Sequence, residues 1–160
     1  MNWEAIGVVV EIVGTIAVIL TLVYLSKQIQ GGNKQAELEG LRHTIDGFNQ
    51  YCDLIVSSIE TANLMNRGRR GLAGLNEDEL LQFEHIHIRF LNTMESWVRS
   101  VEQTARDKHY REKQESNIEE TVFVWFGNPG SRAVWESFRN GFPLLQEIFD
   151  KALVKFDQQP

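Results

Sequence analysis

The sequence predicts an all-α protein: an N-terminal transmembrane helix followed by a cytoplasmic helical bundle of two long antiparallel helices and shorter C-terminal helices. Three observations favour this class. The chain has an apolar run near its N-terminus, apolar residues recur at spacings of three and four elsewhere, and the alternation typical of strands is missing. With 160 residues, the chain has room for one domain and an anchor. We expect residues 1–30 to form the anchor and residues 31–160 the cytoplasmic domain.

The apolar run extends from Ala5 to Leu25 and contains one charged residue, Glu11. A helix of this length is about 31 Å long, close to the hydrocarbon thickness of a bilayer. A cleaved signal peptide would have basic residues before the run and small residues at a cleavage site after it, and the sequence has neither. A buried core helix is the other alternative. We expect a retained membrane span.

The charge distribution predicts the orientation of this span. All 16 lysine and arginine residues follow the apolar run, and basic residues near a span stay in the cytoplasm. We therefore expect a short external N-terminus and a cytoplasmic C-terminal domain. The single cysteine, Cys52, fits a reducing compartment. The part after Leu25 has 20 acidic and 16 basic residues, which argues against nucleic-acid binding.

One face of the predicted span is small and polar, and Glu11 lies within it. A charged side chain at the centre of a bilayer costs about 2.5 kcal/mol or more. Self-association relieves this cost, because small residues let helices approach and polar groups then find partners. In one form of association the carboxylates line a wet, cation-favouring pore. A lone tilted helix is the alternative. The face comprises Gly7, Glu11, Gly14, Thr15, Val18 and Thr21.

The sequence predicts a series of helices in the cytoplasmic part. The second long helix is expected to begin at a capping box of Asn76 and Glu79, and the fourth cytoplasmic helix at a Ser131 cap. Gly31 and Gly32 are expected to form a hinge below the span. The predicted helices cover residues 33–66, 77–108, 117–126, 131–140 and 143–156. The apolar stripe of the first comprises Leu41, Ile45, Phe48, Cys52, Ile55 and Ile59.

The two long helices are expected to pack antiparallel, so that the second returns towards the membrane. A basic segment at its end would then contact anionic lipid, at roughly 1 kcal/mol per basic residue. The alternative is a solvated helix end, where basic side chains interact favourably with the negative end of the helix dipole. The residues expected to contact lipid are Arg106, Lys108, Arg111 and Lys113.

Chemical motifs are sparse. Glu84 and His87 stand at i and i+3, so a membrane-tethered enzyme or metal protein centred on them is the alternative function. A di-iron bundle needs two such motifs and two further glutamates, and one motif is present. Arg106 and His109 are too close in sequence to match the HEPN ribonucleases. No phosphate loop, Ser-His-Asp set or cysteine cluster occurs. We predict no enzymatic activity and no cofactor or metal.

The densest motif outside the apolar run is "NPGSRAVWESFRNGF", at 128–142. Its proline and glycine are typical of a turn between helices, and we expect Trp135 to enter the core. The alternative is a surface that recognises another protein. That surface would comprise Arg132, Trp135 and Arg139.

Two blocks of this sequence together resemble a known group of proteins. The first is "WEAIG", followed after three residues by "EIVG"; the second is NPG-x-R-x-x-W. Both are similar to blocks of small bacterial single-span membrane proteins of unknown function, and the resemblance covers most of the chain. It implies the bacterial inner membrane and this architecture, but no reaction.

From these observations we predict an assembly protein. It would be a single-pass protein that forms a homo-oligomer through the face carrying Gly7, Glu11 and Gly14, in one form a pore-like complex, with the cytoplasmic helices as a scaffold. Its expected partners are membrane lipid and further copies of the same chain. If the NPG motif forms a recognition surface, another protein is a further partner.

Overall fold

The computed structural model describes the backbone of residues 3–104 and 108–157 and the side chains of residues 11–103 and 108–155. Across these ranges the regular structure is helical, without a strand, which confirms the all-α prediction. The helices are α1 (Trp3–Val56), α2 (Ile59–Arg70), α3 (Glu77–Thr104), α4 (Lys108–Phe126), α5 (Pro129–Phe138) and α6 (Gln146–Asp157). Short 3₁₀ turns lie at Leu72–Gly74, Arg139–Gly141 and Pro143–Leu145.

The chain divides into two compact units, Met1–Leu38 and Glu39–Pro160. The described part of the first unit is a single stretch of α1. That helix passes through Gly31 and Gly32 without a break, so the expected hinge is not an interruption of the helix. Each glycine costs a helix interior about 1 kcal/mol relative to alanine, and the hydrogen-bonded turns on both sides outweigh this cost.

In the second unit, the C-terminal part of α1 packs antiparallel against α3, as predicted. Gly40 faces Ser100, and further along α1 the Gln50 side-chain oxygen accepts a hydrogen bond from Arg89 at 3.0 Å. A Cβ at Gly40 or at Gly47 would overlap a side chain of α3. These two glycines therefore allow the long helices to approach closely.

The buried face of this part of α1 is not the predicted apolar stripe. Thr44 and Tyr51 are buried, whereas Ile45 and Cys52, one residue later in each case, are exposed. One residue corresponds to a rotation of about 100° around a helix. Because the two glycines place α3 against the side that carries Thr44 and Tyr51, most of the apolar stripe lies outside the core.

The predicted helix over 33–66 is two helices, because two serines interrupt it. α1 ends at Val56. The Ser57 hydroxyl donates to the Leu54 carbonyl at 2.8 Å, and the Ser58 oxygen accepts from the Thr61 N–H at 3.0 Å. Serine side chains compete for backbone groups in this way and favour helix ends. Ser58 is the N-cap of α2, with an extended backbone.

α3 begins as the sequence predicts. The Glu79 N–H donates to Asn76 Oδ1 at 2.9 Å, and the Asn76 N–H donates to Glu79 Oε2 at 3.1 Å. These two bonds form the reciprocal capping box and satisfy two backbone donors that the first turn of the helix leaves free.

α4 starts at Lys108, earlier than the predicted helix at 117, and its buried side chains begin at Gln114. This residue and Ile118, Val122 and Phe126 follow at intervals of four and are all buried. Gln114 is a polar member of the series, and its side-chain oxygen accepts a hydrogen bond from Trp97 Nε1 at 3.1 Å. The apolar pattern alone did not reveal it.

The core of the second unit is rich in aromatic rings. Trp135 of α5 stacks on Phe149 of α6 with ring centroids 3.9 Å apart, and Phe126 of α4 meets Phe149 edge-on at 5.0 Å. The last predicted helix, from 143, begins with the 3₁₀ turn Pro143–Leu145, which leads into α6. The fully buried large side chains include Tyr51, Phe83, Phe90, Phe126, Trp135 and Phe149.

Candidate functional site

The N-terminal part of α1 is the leading candidate for a functional surface. Within the described residues, α1 is the one helix that is long and apolar enough to cross a membrane, and none of its apolar window is buried in the protein. Every residue from Glu11 to Gly32 is exposed. An apolar helix surface of this length needs a non-aqueous neighbour, because each buried aliphatic side chain gains about 1.5–3 kcal/mol relative to water.

The predicted small and polar face is exposed in its described part. At 100° per residue, its members from Glu11 onwards share an arc of about 120°. A Cβ at Gly14 would meet nothing within 4 Å, so the helix backbone is open to a neighbour there. The described members are Glu11, Gly14, Thr15, Val18 and Thr21. Gly7 belongs to the first turns of α1, whose side chains lie outside the described residues.

The two threonines of this face already have hydrogen-bond partners. Thr15 Oγ1 donates to the Glu11 carbonyl at 2.9 Å, and Thr21 Oγ1 donates to the Ala17 carbonyl at 2.8 Å. A threonine hydroxyl that is hydrogen-bonded to a carbonyl of its own helix needs no further partner in an apolar medium. On the described part of the face, the Glu11 carboxylate is therefore the group with the largest need for an external partner.

His87, one half of the alternative metal or enzyme site, is buried in the core of the second unit. Its Nδ1 lies 2.8 Å from the Phe83 carbonyl and its Nε2 lies 2.8 Å from Ser131 Oγ. Since a carbonyl only accepts, Nδ1 carries the proton, and Nε2 accepts from the serine hydroxyl. Both ring nitrogens are used inside the fold, while Glu84 is partly exposed. Among the described residues, no group of three potential metal ligands comes together.

The environment of His87 keeps its ring neutral. Burial lowers the pKa of His87 to about 4, because the charged imidazolium would lose its hydration. The hydrogen bond to the Phe83 carbonyl opposes this effect, and the nearby Arg69 adds to it. Ser131 is also fully buried, so the serine–histidine pair joins α3 to α5 and does not face a substrate.

The NPG motif forms a tight crossing between α5 and α2. The Asn128 side chain accepts from the Ser131 N–H at 3.0 Å, so Asn128, and not the predicted Ser131, caps α5. Pro129 occupies the first helical position, where a missing N–H costs nothing. A Cβ at Gly130 would overlap the carbonyl oxygen of Gly68 in α2. Glycine is needed here because the two backbones touch.

The predicted partner surface is divided between the core and the exterior. Trp135 is fully buried and forms no part of a surface. Arg139 pairs with Asp150 at 3.2 Å and Glu136 at 3.3 Å, and Arg132 donates to the Leu153 carbonyl at 3.4 Å. Both arginines hold α5 and the following turn against their neighbours. The structural interpretation of the motif therefore has direct support from these contacts.

Three of the four predicted lipid-contact residues lie at the start of α4 rather than at the end of the preceding helix. Lys108, Arg111 and Lys113 are exposed, and Lys108 pairs with Glu112 at 3.7 Å. Arg106 lies outside the described residues. Basic residues suit the C-terminal end of a helix dipole, so the dipole does not account for their place here. Lipid contact stays a prediction.

We expect Gly130→Ala to lower the free energy of unfolding by about 1–3 kcal/mol, since the added methyl group would push α5 away from Gly68. Thermal unfolding of the full chain, followed by circular dichroism, measures this. Gly141→Ala is the matched control, because a Cβ there meets nothing within 4 Å, and its effect should stay within about 0.5 kcal/mol. Equal effects at both positions would contradict the close-approach argument.

We expect the buried ring of His87 to make the fold acid-sensitive. Between its ordinary pKa of 6.5 and its folded pKa of about 4, only the unfolded chain binds the proton, so stability falls as the pH falls through this window. The loss attributable to His87 is roughly 3 kcal/mol. Above pH 6.5 both states are neutral and the effect vanishes.

Urea unfolding at several pH values, compared between the wild type and His87→Gln, isolates this contribution from that of the carboxylates. The variant should show a shallower loss of stability across the window from pH 6.5 to about 4. His85→Gln is the control, because His85 is an exposed histidine on the same helix. If both variants keep the wild-type slope, His87 does not titrate as a buried group.

No protein-family model matches this chain, and neither a curated protein nor a solved structure matches it significantly, so the proposals below depend on the residues and contacts described above.

Proposed function

We propose that this protein is a single-pass protein of the bacterial inner membrane that assembles into a homo-oligomer through the N-terminal part of α1. The observation that carries the proposal is one helix surface. It is apolar and exposed over its described length, and it presents the Glu11 carboxylate beside the open backbone of Gly14. Apolar side chains suit lipid, whereas a carboxylate and a bare backbone suit another helix.

The energetics of Glu11 favour association over a lone helix. A carboxylate within hydrocarbon costs about 2.5 kcal/mol or more. Copies that enter the membrane in the same direction bring this residue to the same depth, where a protonated Glu11 carboxyl donates a hydrogen bond to the Glu11 of a neighbour, or both bond to shared water. Close contact at Gly14 adds van der Waals packing, which is the main attraction between helices in lipid.

The direction and compartment follow from charge and resemblance. The lysines and arginines all come after the apolar run, which favours a cytoplasmic second unit. The WEAIG-xxx-EIVG and NPG-x-R-x-x-W blocks resemble those of small bacterial single-span proteins, which supports the inner membrane. The second unit then acts as a scaffold on the cytoplasmic side, with the basic start of α4 available to anionic headgroups.

A ring of several copies gives the pore-like form of this assembly. In such a ring the Glu11 carboxylates point to a central water column, which favours cations over anions. A dimer with Glu11 buried between two helices is the closed form of the same contact. The metal or enzyme alternative has less support, because both ring nitrogens of His87 are engaged within the core.

We expect Gly14→Ile to block close helix contact and to reduce the oligomer size of the full chain in lipid nanodiscs or mild detergent. Sedimentation or native mass spectrometry measures this size. Val13→Phe is the matched control: it adds bulk to the preceding residue, about 100° around the helix and away from the predicted face. A wild-type chain that is monomeric under all these conditions would overturn the proposal.

We expect changes at Glu11 to separate a closed contact from a wet pore. Glu11→Gln keeps the hydrogen-bonding shape but removes the charge, and Glu11→Leu removes both. A pore predicts that either change lowers cation flux across proteoliposomes. A closed contact predicts no flux in the wild type and a smaller oligomer for Glu11→Leu. Unchanged size and unchanged flux in both variants would mean that Glu11 does not organise the assembly.

A further inference from the structure

We propose that a second apolar face of α1, within the unit Glu39–Pro160, binds the same face of a second copy of this chain in parallel. We call this face the α1 stripe. It is separate from the Glu11 face, and the parallel direction rests on the proposed membrane insertion. The α1 stripe comprises Leu41, Ile45, Cys52 and Val56.

The α1 stripe consists of two pairs of exposed apolar side chains spread over four turns, with the half-buried Phe48 between the pairs. Ile45 is 49% exposed and Val56 is 74% exposed. At 100° per residue, the four members share an arc of about 60°. Ile59, 77% exposed, follows just beyond the break at Ser57 and Ser58. An isolated exposed apolar residue needs no explanation, whereas a line of them marks an interaction surface.

The remaining exposed side of the same helix is polar, which makes the α1 stripe distinct. The residues that occupy that side are Arg42, Asp46, Asn49, Gln50 and Asp53, all exposed. Solvent exposure by itself therefore does not account for the apolar residues. The helix has three sides in this unit: the core face with Thr44 and Tyr51, the polar side, and the α1 stripe between them.

The spacing within the α1 stripe indicates what binds it. Leu41, Ile45, Phe48 and Cys52 are spaced by four, three and four residues, as in a heptad repeat. Phe48 and the next position, Ile55, are half-buried against the core, and Val56 is the exposed residue beside Ile55. A heptad seam binds another helix with the same spacing. A second copy of this chain carries the matching seam by necessity, since its α1 is the same helix.

The size of the α1 stripe favours a partner that is already nearby. A stable interface between freely diffusing proteins buries about 800 Å² on each side, and about two heptads of one helix offer less. Two copies held in one membrane meet at a high effective concentration, which lets a small seam contribute to assembly. Shared insertion in one direction also brings the two α1 helices together in parallel.

The native Cys52 tests the proposal without an added probe, since the chain has no other cysteine. In a parallel seam, Cys52 lies opposite Cys52 of the second copy, and a disulfide needs Cα atoms within about 7 Å. Membranes containing the full chain are treated with a mild oxidant, and dimers are counted on a non-reducing gel. We expect a strong disulfide dimer from the wild type.

The matched control moves the thiol by one residue. The double variant Cys52→Ser/Asp53→Cys places it on the polar side, about 100° away, and the dimer should be lost. In a second pair, Ile45→Lys should abolish the Cys52 dimer, whereas Asp46→Lys places the same side chain on the polar side and should leave the dimer intact. Circular dichroism checks that each variant keeps its helix content.

The outcomes separate this proposal from the proposed function. A chain that is oligomeric by size, yet gives no Cys52 dimer and is insensitive to Ile45→Lys, overturns the α1 stripe alone. Equal dimer yield from Cys52 and from a cysteine at position 53 also overturns it, because it indicates random collision. If Ile45→Cys pairs with Cys52 faster than Cys52 pairs with itself, the helices are antiparallel and the parallel seam is overturned.

Discussion

The apolar side chains of α1 between Glu11 and Leu25 are exposed along the whole segment, and this constraint governs the organisation of the protein. At about 1.5–3 kcal/mol for each aliphatic side chain, leaving the segment in water would cost more than the whole stability of a small domain, about 5–15 kcal/mol. The segment therefore requires lipid or further protein. Glu11 restricts which neighbour is suitable, because a neighbour that packs against the aliphatic side chains must also bind or hydrate the Glu11 carboxylate.

Apart from the exposed α1 stripe, the second unit is organised around one internal core. Its aromatic core extends through α3, α4, α5 and α6, and its central polar pair, His87 and Ser131, is joined by a hydrogen bond within that core. Glycine makes the closest crossings, at Gly130 against Gly68 and at Gly40 and Gly47 against α3. The imidazole of His87 and the hydroxyl of Ser131 are likewise committed to structure.

The sequence predicts the helical class and the capping box well, because both depend on local signals. Apolar periodicity and the Asn76–Glu79 spacing are readable within one or two turns. The helix break at Ser58 was missed because a serine is compatible with either a helix interior or a cap, and the packing decides between them. The early start of α4 was missed because Gln114 is polar but buried. The main error concerned the burial of α1, since periodicity assigns the core face to the line through Ile45 and Cys52, about 100° from the buried side.

The distribution of residues between the two faces of α1 gives the strongest support for an assembly contact. If apolar residues served only the intramolecular core, the core side would hold the large aliphatic residues and the outside would be polar. In α1 the side that contacts the core holds large apolar residues, among them Phe48 and Tyr51, but Leu41, Ile45 and Val56 are exposed outside it. A helix that keeps large apolar residues on an exposed side, next to a polar side, is suited to two simultaneous packing contacts. One is the contact with α3; the other is the contact that we propose with a second copy of this chain.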